Sequence, residues 1–128
     1  MQIHYLHTKL RVSDLDRAIR FYETAFGYEV RSRRPGPEGS EIAFMVLPGE
    51  AAEIQLCRYP GTEAVVVPDR LMHLAYRVDD LDAVLAGALS AGGTLVSEPY
   101  TLPSGSRVAF LADPQGYAIE LVQKPLSR

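Results

Sequence analysis

At 128 residues, with 47% hydrophobic and 23% charged residues, the chain has the size and balance of one ordinary globular domain. A net charge of −3 removes the electrostatic case for nucleic acid or an anionic membrane as partner, and no apolar run approaches the roughly 18 to 20 residues of a membrane span. Cys57 is the only cysteine and the opening Met-Gln-Ile-His-Tyr lacks signal-peptide character, so a cytoplasmic protein without an intrachain disulfide is expected.

In chain order, residues 3 to 12 predict a strand with Leu6, Thr8, Leu10 and Val12 on one face and His7, Lys9 and Arg11 on the other. Ser13 or Asp14 suits the cap of a following helix, whose apolar stripe is Leu15, Ala18, Ile19, Tyr22 and Phe26. Gly27 fits the helix end, where a left-handed backbone costs glycine least. Tyr28 to Arg33 reads as a strand, Arg34 to Gly39 as a loop, and strands are expected near 41 to 47 and 52 to 58. Residues 60 to 70, with two prolines and a glycine, form a linker between a first module of about 1 to 60 and a second of about 71 to 128. The second module repeats the order. A strand at 72 to 78 leads to a helix at about 80 to 91 with Leu81, Val84, Leu85, Ala88 and Leu89 as its stripe, ended by Gly92-Gly93. Strands follow near 94 to 98, 106 to 112 and 117 to 123, the last two joined by the turn Asp113 to Gly116. The expected fold is α+β: two tandem βαβββ modules forming one curved mixed sheet with the helices outside, together a single domain.

The repeat is visible in the residues themselves. His7-Thr-Lys-Leu-Arg-Val-Ser-Asp-Leu-Asp16 aligns with His73-Leu-Ala-Tyr-Arg-Val-Asp-Asp-Leu-Asp82 at an offset of 66, which holds through Gly27 and Gly93, Val30 and Val96, and Phe44 and Phe110. At an offset of 65, Ile54-Gln55-Leu56 falls on Ile119-Glu120-Leu121. Each half therefore has a histidine early and an amide or carboxylate late, 48 residues apart in the first and 47 in the second. Strand alternation turns all four away from the helices, toward the hollow of the sheet. Taken singly, a histidine or glutamate in a strand is an ordinary surface or hydrogen-bonded residue. Four at equivalent places of a duplication make a metal site, with two imidazole nitrogens and two side-chain oxygens leaving room for water or substrate. His4 points the other way, has no repeat mate, and reads as structural.

The stretch His7 to Tyr22 resembles the opening of bacterial glyoxalase I, a lactoylglutathione lyase of the vicinal-oxygen-chelate superfamily, and Asp113-Pro-Gln-Gly-Tyr-Ala-Ile-Glu-Leu121 is similar to its closing motif. The resemblance implies the glyoxalase/bleomycin-resistance fold, metal ligands at His7, Gln55, His73 and Glu120, and a homodimer with its sites at the interface. It implies a divalent metal, nickel or cobalt for this short form with zinc or manganese as alternatives, and glutathione or another thiol as co-substrate. The implied reaction turns the hemithioacetal of an α-oxoaldehyde into a 2-hydroxyacyl thioester through an enediolate, with Glu120 as the base that moves the proton between adjacent carbons.

Gln55 is a departure, because the bacterial glyoxalase pattern has glutamate there. A His, Gln, His, Glu set resembles methylmalonyl-CoA epimerase, which needs a second acid–base group; Glu38 and Glu41 are the candidates near the loop. Arg11 shares the face of His7 and matches the arginine that contacts a glutathione carboxylate, a task suited to the guanidinium fork. Tyr59 stands where that family has an asparagine for glutathione, which leaves the thiol open. Arg31, Arg33 and Arg34 read as a solvated strand edge or as an attractor for an anionic tail, and Cys57, on the face of Gln55, as a pocket-lining residue or an inert buried thiol, the latter favoured. Other members of the superfamily with the same fold are thiol transferases and drug-binding proteins of the bleomycin-resistance type.

Overall fold

The structure is a computed structural model that describes residues 1–61 and 64–126. It divides into two compact units, Met1–Val65 and Val66–Arg128, each a βαβββ module. The expected linker falls at this division, and its residues 62 and 63 lie outside the described residues.

The first module contains β1 (His7–Arg11), α1 (Leu15–Phe26), β2 (Glu29–Pro35), β3 (Glu41–Val46) and β4 (Glu53–Arg58). Its sheet runs β1-β4-β3-β2, with β1 and β4 parallel and the other pairs antiparallel. The second module repeats this with β5 (His73–Arg77), α2 (Leu81–Ser90), β6 (Thr94–Thr101), β7 (Arg107–Ala112) and β8 (Ala118–Gln123), in the order β5-β8-β7-β6. Hydrogen bonding thus forms two four-stranded mixed sheets, one per module.

Each helix starts on an aspartate. The Asp14 carboxylate accepts from the Arg17 N–H at 3.0 Å and that of Asp80 from Ala83 at 3.1 Å, satisfying donors the first turn leaves open. The two repeat-mate glycines that follow serve different ends. Gly27 has φ +79, a conformation that strains any other residue, and nothing crowds its missing side chain. At Gly93 a Cβ would meet the Ala88 carbonyl oxygen and the Leu111 side chain at 3.0 Å, so space decides there.

Each helix covers one face of its own sheet. In the first module Leu10, Ala43, Met45, Ile54 and Leu56 are buried beneath Leu15, Ala18, Ile19 and Tyr22 of α1. Phe21, outside the expected stripe, is also buried, meeting Tyr22 and Phe26 edge-on at 5.1 and 5.8 Å. The apolar arc of α1 is therefore wider than a five-residue stripe. Burying the helix-side face leaves the alternate residues, His7, Lys9, Arg11, Gln55 and Phe44, on the other.

Three boundaries differ from expectation. β1 begins at His7 rather than residue 3, because β4 starts at Glu53, directly opposite His7, and earlier residues run past its end. β2 continues to Pro35 and β6 to Thr101 through Pro99. Both are edge strands, where proline's missing N–H costs no ladder bond, and β6 is bulged between Ser97 and Tyr100. Among the described residues no helix is long and apolar enough to cross a membrane.

Candidate functional site

Strand register sets the site face of the first module. Lys9 lies beside Gln55 across the parallel pair, and Phe44 lies beside Gln55 across the antiparallel one. Neighbours in register point to the same side of a sheet, so these residues share the face opposite α1. Gln55 Nε2 approaches His7 Nδ1 to 3.3 Å, both side chains being half-buried. The amide has a donor and an acceptor end, and a half-turn about its last bond exchanges them.

The second module builds the same pair with different chemistry. His73 Nε2 stands 3.5 Å from Glu120 Oε1, and the Glu120 side chain is 24% exposed. Phe110 lies opposite Glu120 in register and meets the His73 ring edge-on at 5.7 Å, which fixes one side of the imidazole.

Each histidine is thus brought to the late polar residue of its own module, across a parallel strand pair. Two donors held about 2.1 Å from one cation stand roughly 3.0 to 3.4 Å apart, so the observed separations suit neighbouring positions of a coordination shell. The donor types, imidazole with amide or carboxylate, also fit a divalent first-row metal. Neither pair gains a further His, Cys, Asp or Glu to make a metal-holding group of three among the described residues.

Arg11 and Tyr59 frame the open end of the first module's site face. The Arg11 guanidinium lies 5.2 Å from the centre of the Tyr59 ring, and the Lys9 ammonium lies 4.7 Å from it while donating a hydrogen bond to the Tyr59 hydroxyl. That hydrogen bond holds the Lys9 pKa above its ordinary value. Two clefts of about 440 and 470 Å³ open beside this cluster; Arg58 and Ser13 line the first, Glu38 the second, and Arg11 and Tyr59 both. Lys9 has no counterpart in the repeat, where Ala75 stands, and only its position on the His7 face marks it in the sequence.

The two loop carboxylates separate clearly. Glu38 reaches the Arg11–Tyr59 cleft. Glu41 lies one residue out of phase with Phe44's face and pairs with Arg33, which also binds Asp16 of α1 at 2.8 Å. It therefore belongs to the helix side of the sheet. Cys57, although in phase with Gln55, is fully buried.

The sequence profile of the Glyoxalase/Bleomycin resistance protein/Dioxygenase superfamily matches residues 4–121. A lactoylglutathione lyase from Haemophilus influenzae is 39% identical over 127 residues, covering 96% of this chain and 93% of that enzyme. Glyoxalase I from Zea mays is similar in structure, with a TM-score of 0.83 at 30% identity over 97% of this chain; the chain spans 46% of the maize protein. A trypanothione-dependent glyoxalase I from Leishmania major gives a TM-score of 0.80 at 28% identity, covering 96% of this chain and 88% of the other.

Proposed function

The chain belongs to the glyoxalase/bleomycin resistance protein/dioxygenase superfamily, and on that premise we propose that it is a metal-dependent lyase of the glyoxalase I type. Its substrate would be the hemithioacetal of an α-oxoaldehyde and a thiol, and its product a 2-hydroxyacyl thioester. The observation that carries this reading is the duplicated pairing of a histidine with an amide or carboxylate side chain, Gln55 Nε2 3.3 Å from His7 Nδ1 in one module and Glu120 Oε1 3.5 Å from His73 Nε2 in the other. Similarity to lactoylglutathione lyases and to glyoxalase I structures supports the reaction class.

His7, Gln55, His73 and Glu120 would hold the metal. When bound, the cation supplies stabilisation of negative charge on the substrate's two adjacent oxygens. The protein's own work is the proton. Glu120 is the carboxylate of the set, and it would take the proton from the sulfur-bearing carbon of the hemithioacetal and deliver it to the adjacent carbonyl carbon, while the hydroxyl proton passes to the former carbonyl oxygen. Gln55 neither accepts nor donates a proton at neutral pH, which makes this a one-base reaction. Arg11 would bind a carboxylate of the thiol from the open end of the same face.

A homodimer fits this arrangement, since two copies approach the length of the maize enzyme. The two modules are taken as halves of one domain, and the buried lone thiol suits the cytoplasm. Nickel or cobalt is the proposed metal.

An epimerase reading draws on Gln55, but with Glu41 on the helix side, of the two loop carboxylates Glu38 alone remains as a candidate second acid–base group. One assay series separates the two. Protein loaded in turn with nickel, cobalt, zinc and manganese is given methylglyoxal with glutathione, methylglyoxal with trypanothione, and methylmalonyl-CoA. Thioester formation from methylglyoxal is expected, together with about one metal per chain by elemental analysis. Turnover of methylmalonyl-CoA alone would establish the epimerase, and failure to take up any of the metals would end the metalloenzyme reading.

A further inference from the structure

The first module's site face has a second cationic cluster, at the edge opposite Arg11. The Phe44 ring carries two guanidiniums, Arg34 at 4.4 Å and Arg31 at 5.0 Å from its centre. Arg31 sits at the bulge of β2, and Arg34 lies opposite Ile42, two residues from Phe44 on the same face. Like charges gathered on one ring repel unless something neutralises them. Glu53 accepts from Arg31 Nε and Nη2 at 3.1 and 2.9 Å, which balances one of the two. Among the described residues no carboxylate pairs with Arg34, and the cluster keeps a net positive charge.

Covering a phenylalanine is a task that any apolar or amphipathic side chain performs, and the repeat shows it done without cations. In the second module Phe110 occupies the equivalent place beside Glu120, and the facing strand β6, Thr-Leu-Val-Ser-Glu-Pro-Tyr-Thr, contains no arginine or lysine. A requirement of the fold would appear in both modules. The paired guanidiniums appear in one, on the face with His7 and Gln55, and there they suit an oxyanion: Glu53 occupies the Nε–Nη2 edge of Arg31, while Arg34, held over the same ring, has its N–H groups available for a ligand.

Resting on the thiol-dependent reading above, we propose that Arg31 and Arg34 form a second oxyanion-binding site for the thiol component of the substrate. That component then carries anionic groups at two separated ends. One is held by Arg11 and Lys9 beside Tyr59 on β1, the other by Arg34 and Arg31 on β2. The strands that anchor the two clusters are three strand intervals apart, roughly 14 Å at the backbone, with Gln55 on β4 between them and the two guanidiniums reaching inward over Phe44 on β3. A terminal carboxylate of a peptide thiol and a phosphate of a nucleotide-linked thiol share this chemistry.

The test is calorimetric titration of metal-loaded protein with unreactive thioethers, so that turnover is not needed. S-methylglutathione and its glycine ethyl ester form one pair of probes, S-methyl-coenzyme A and its 3′-dephospho form the other. Arg34→Met keeps a flexible cover over Phe44 without the charge, and Arg34→Lys restores the charge. For the pair with the correct anion, Arg34→Met is expected to weaken binding by about 10-fold, in line with one charged hydrogen bond. Removing the anion from the ligand should cost the wild type as much and the variant nothing further, and Arg34→Lys should recover most of the loss. Which pair responds identifies carboxylate or phosphate. Equal binding of every probe by wild type and Arg34→Met would overturn the second site while leaving the thiol reading intact. Binding of no probe by the wild type would overturn both.

Discussion

Glu120 and Gln55 occupy the same place in the duplication, each beside a histidine on the strand paired with it, and they differ in ionisation. Glu120→Gln therefore replaces a base with a residue the protein already uses next to the other histidine. Metal content measured by elemental analysis should stay near the wild-type level, while turnover should fall by about 10²- to 10⁴-fold, the usual worth of a positioned acid–base group. A fully active variant would remove Glu120 from the proton transfer. The four polar positions were legible because duplication places them twice in the same pattern. The environment of each was not. That Phe110 meets His73 while Phe44 is claimed by Arg31 and Arg34 depends on side-chain directions across a sheet, and the matching phenylalanines in the sequence are silent about it.

At the level of elements, the modules use one plan with different ties. Asp16 and Asp82 are repeat mates at the starts of the two helices. Asp16 binds Arg33 on β2, whereas Asp82 binds Arg107 on β7 through two bonds of 3.0 and 3.2 Å. The Arg107 hydrogen bonds hold the Asp82 carboxyl below its ordinary pKa. The unfolded chain then takes up a proton first as pH falls, so the stabilisation is complete above about pH 4 to 5 and is lost as pH drops through the folded-state value. Urea midpoints measured at pH 6 and pH 3 should fall more for the wild type than for Asp82→Asn, by a small margin because the pair is exposed. Equal falls would show that the tie contributes nothing. The first helix cap and the last turn were readable from local chemistry: Asp14 takes the cap offered to Ser13 or Asp14, and the buried Asp113 opens the expected turn, accepting from the N–H groups of Gln115, Gly116 and Tyr117 at 2.8 to 3.0 Å, while the Asp80 cap emerges only in the structure. Strand ends were less so, because β1 stops where its partner begins and both edge strands tolerate a proline.

For the whole molecule, the segment before β1 is the feature with the clearest consequence. Ile3, Tyr5 and Leu6 are 81%, 67% and 68% exposed, beside an edge strand. Apolar side chains next to an unpaired strand edge favour association with another chain. Light scattering after gel filtration should give about twice the 14.1 kDa of one chain, and Leu6→Asp should lower the dimer fraction at micromolar concentration. A wild-type monomer at high concentration would refute the dimer and with it a site shared between chains.

The amino-acid sequence alone determined the duplicated βαβββ plan, the place of the first helix cap and the four polar positions, since each is a matter of spacing or of chemistry within a few residues. The tertiary structure decided which side chains meet. It brought each histidine to a partner nearly fifty residues away, sent Glu41 to the helix side through Arg33, buried Cys57, and raised two arginines over Phe44. These outcomes turn on strand order and register, which join distant segments, and a bulge of one residue in β2 is enough to place Arg31 over the ring.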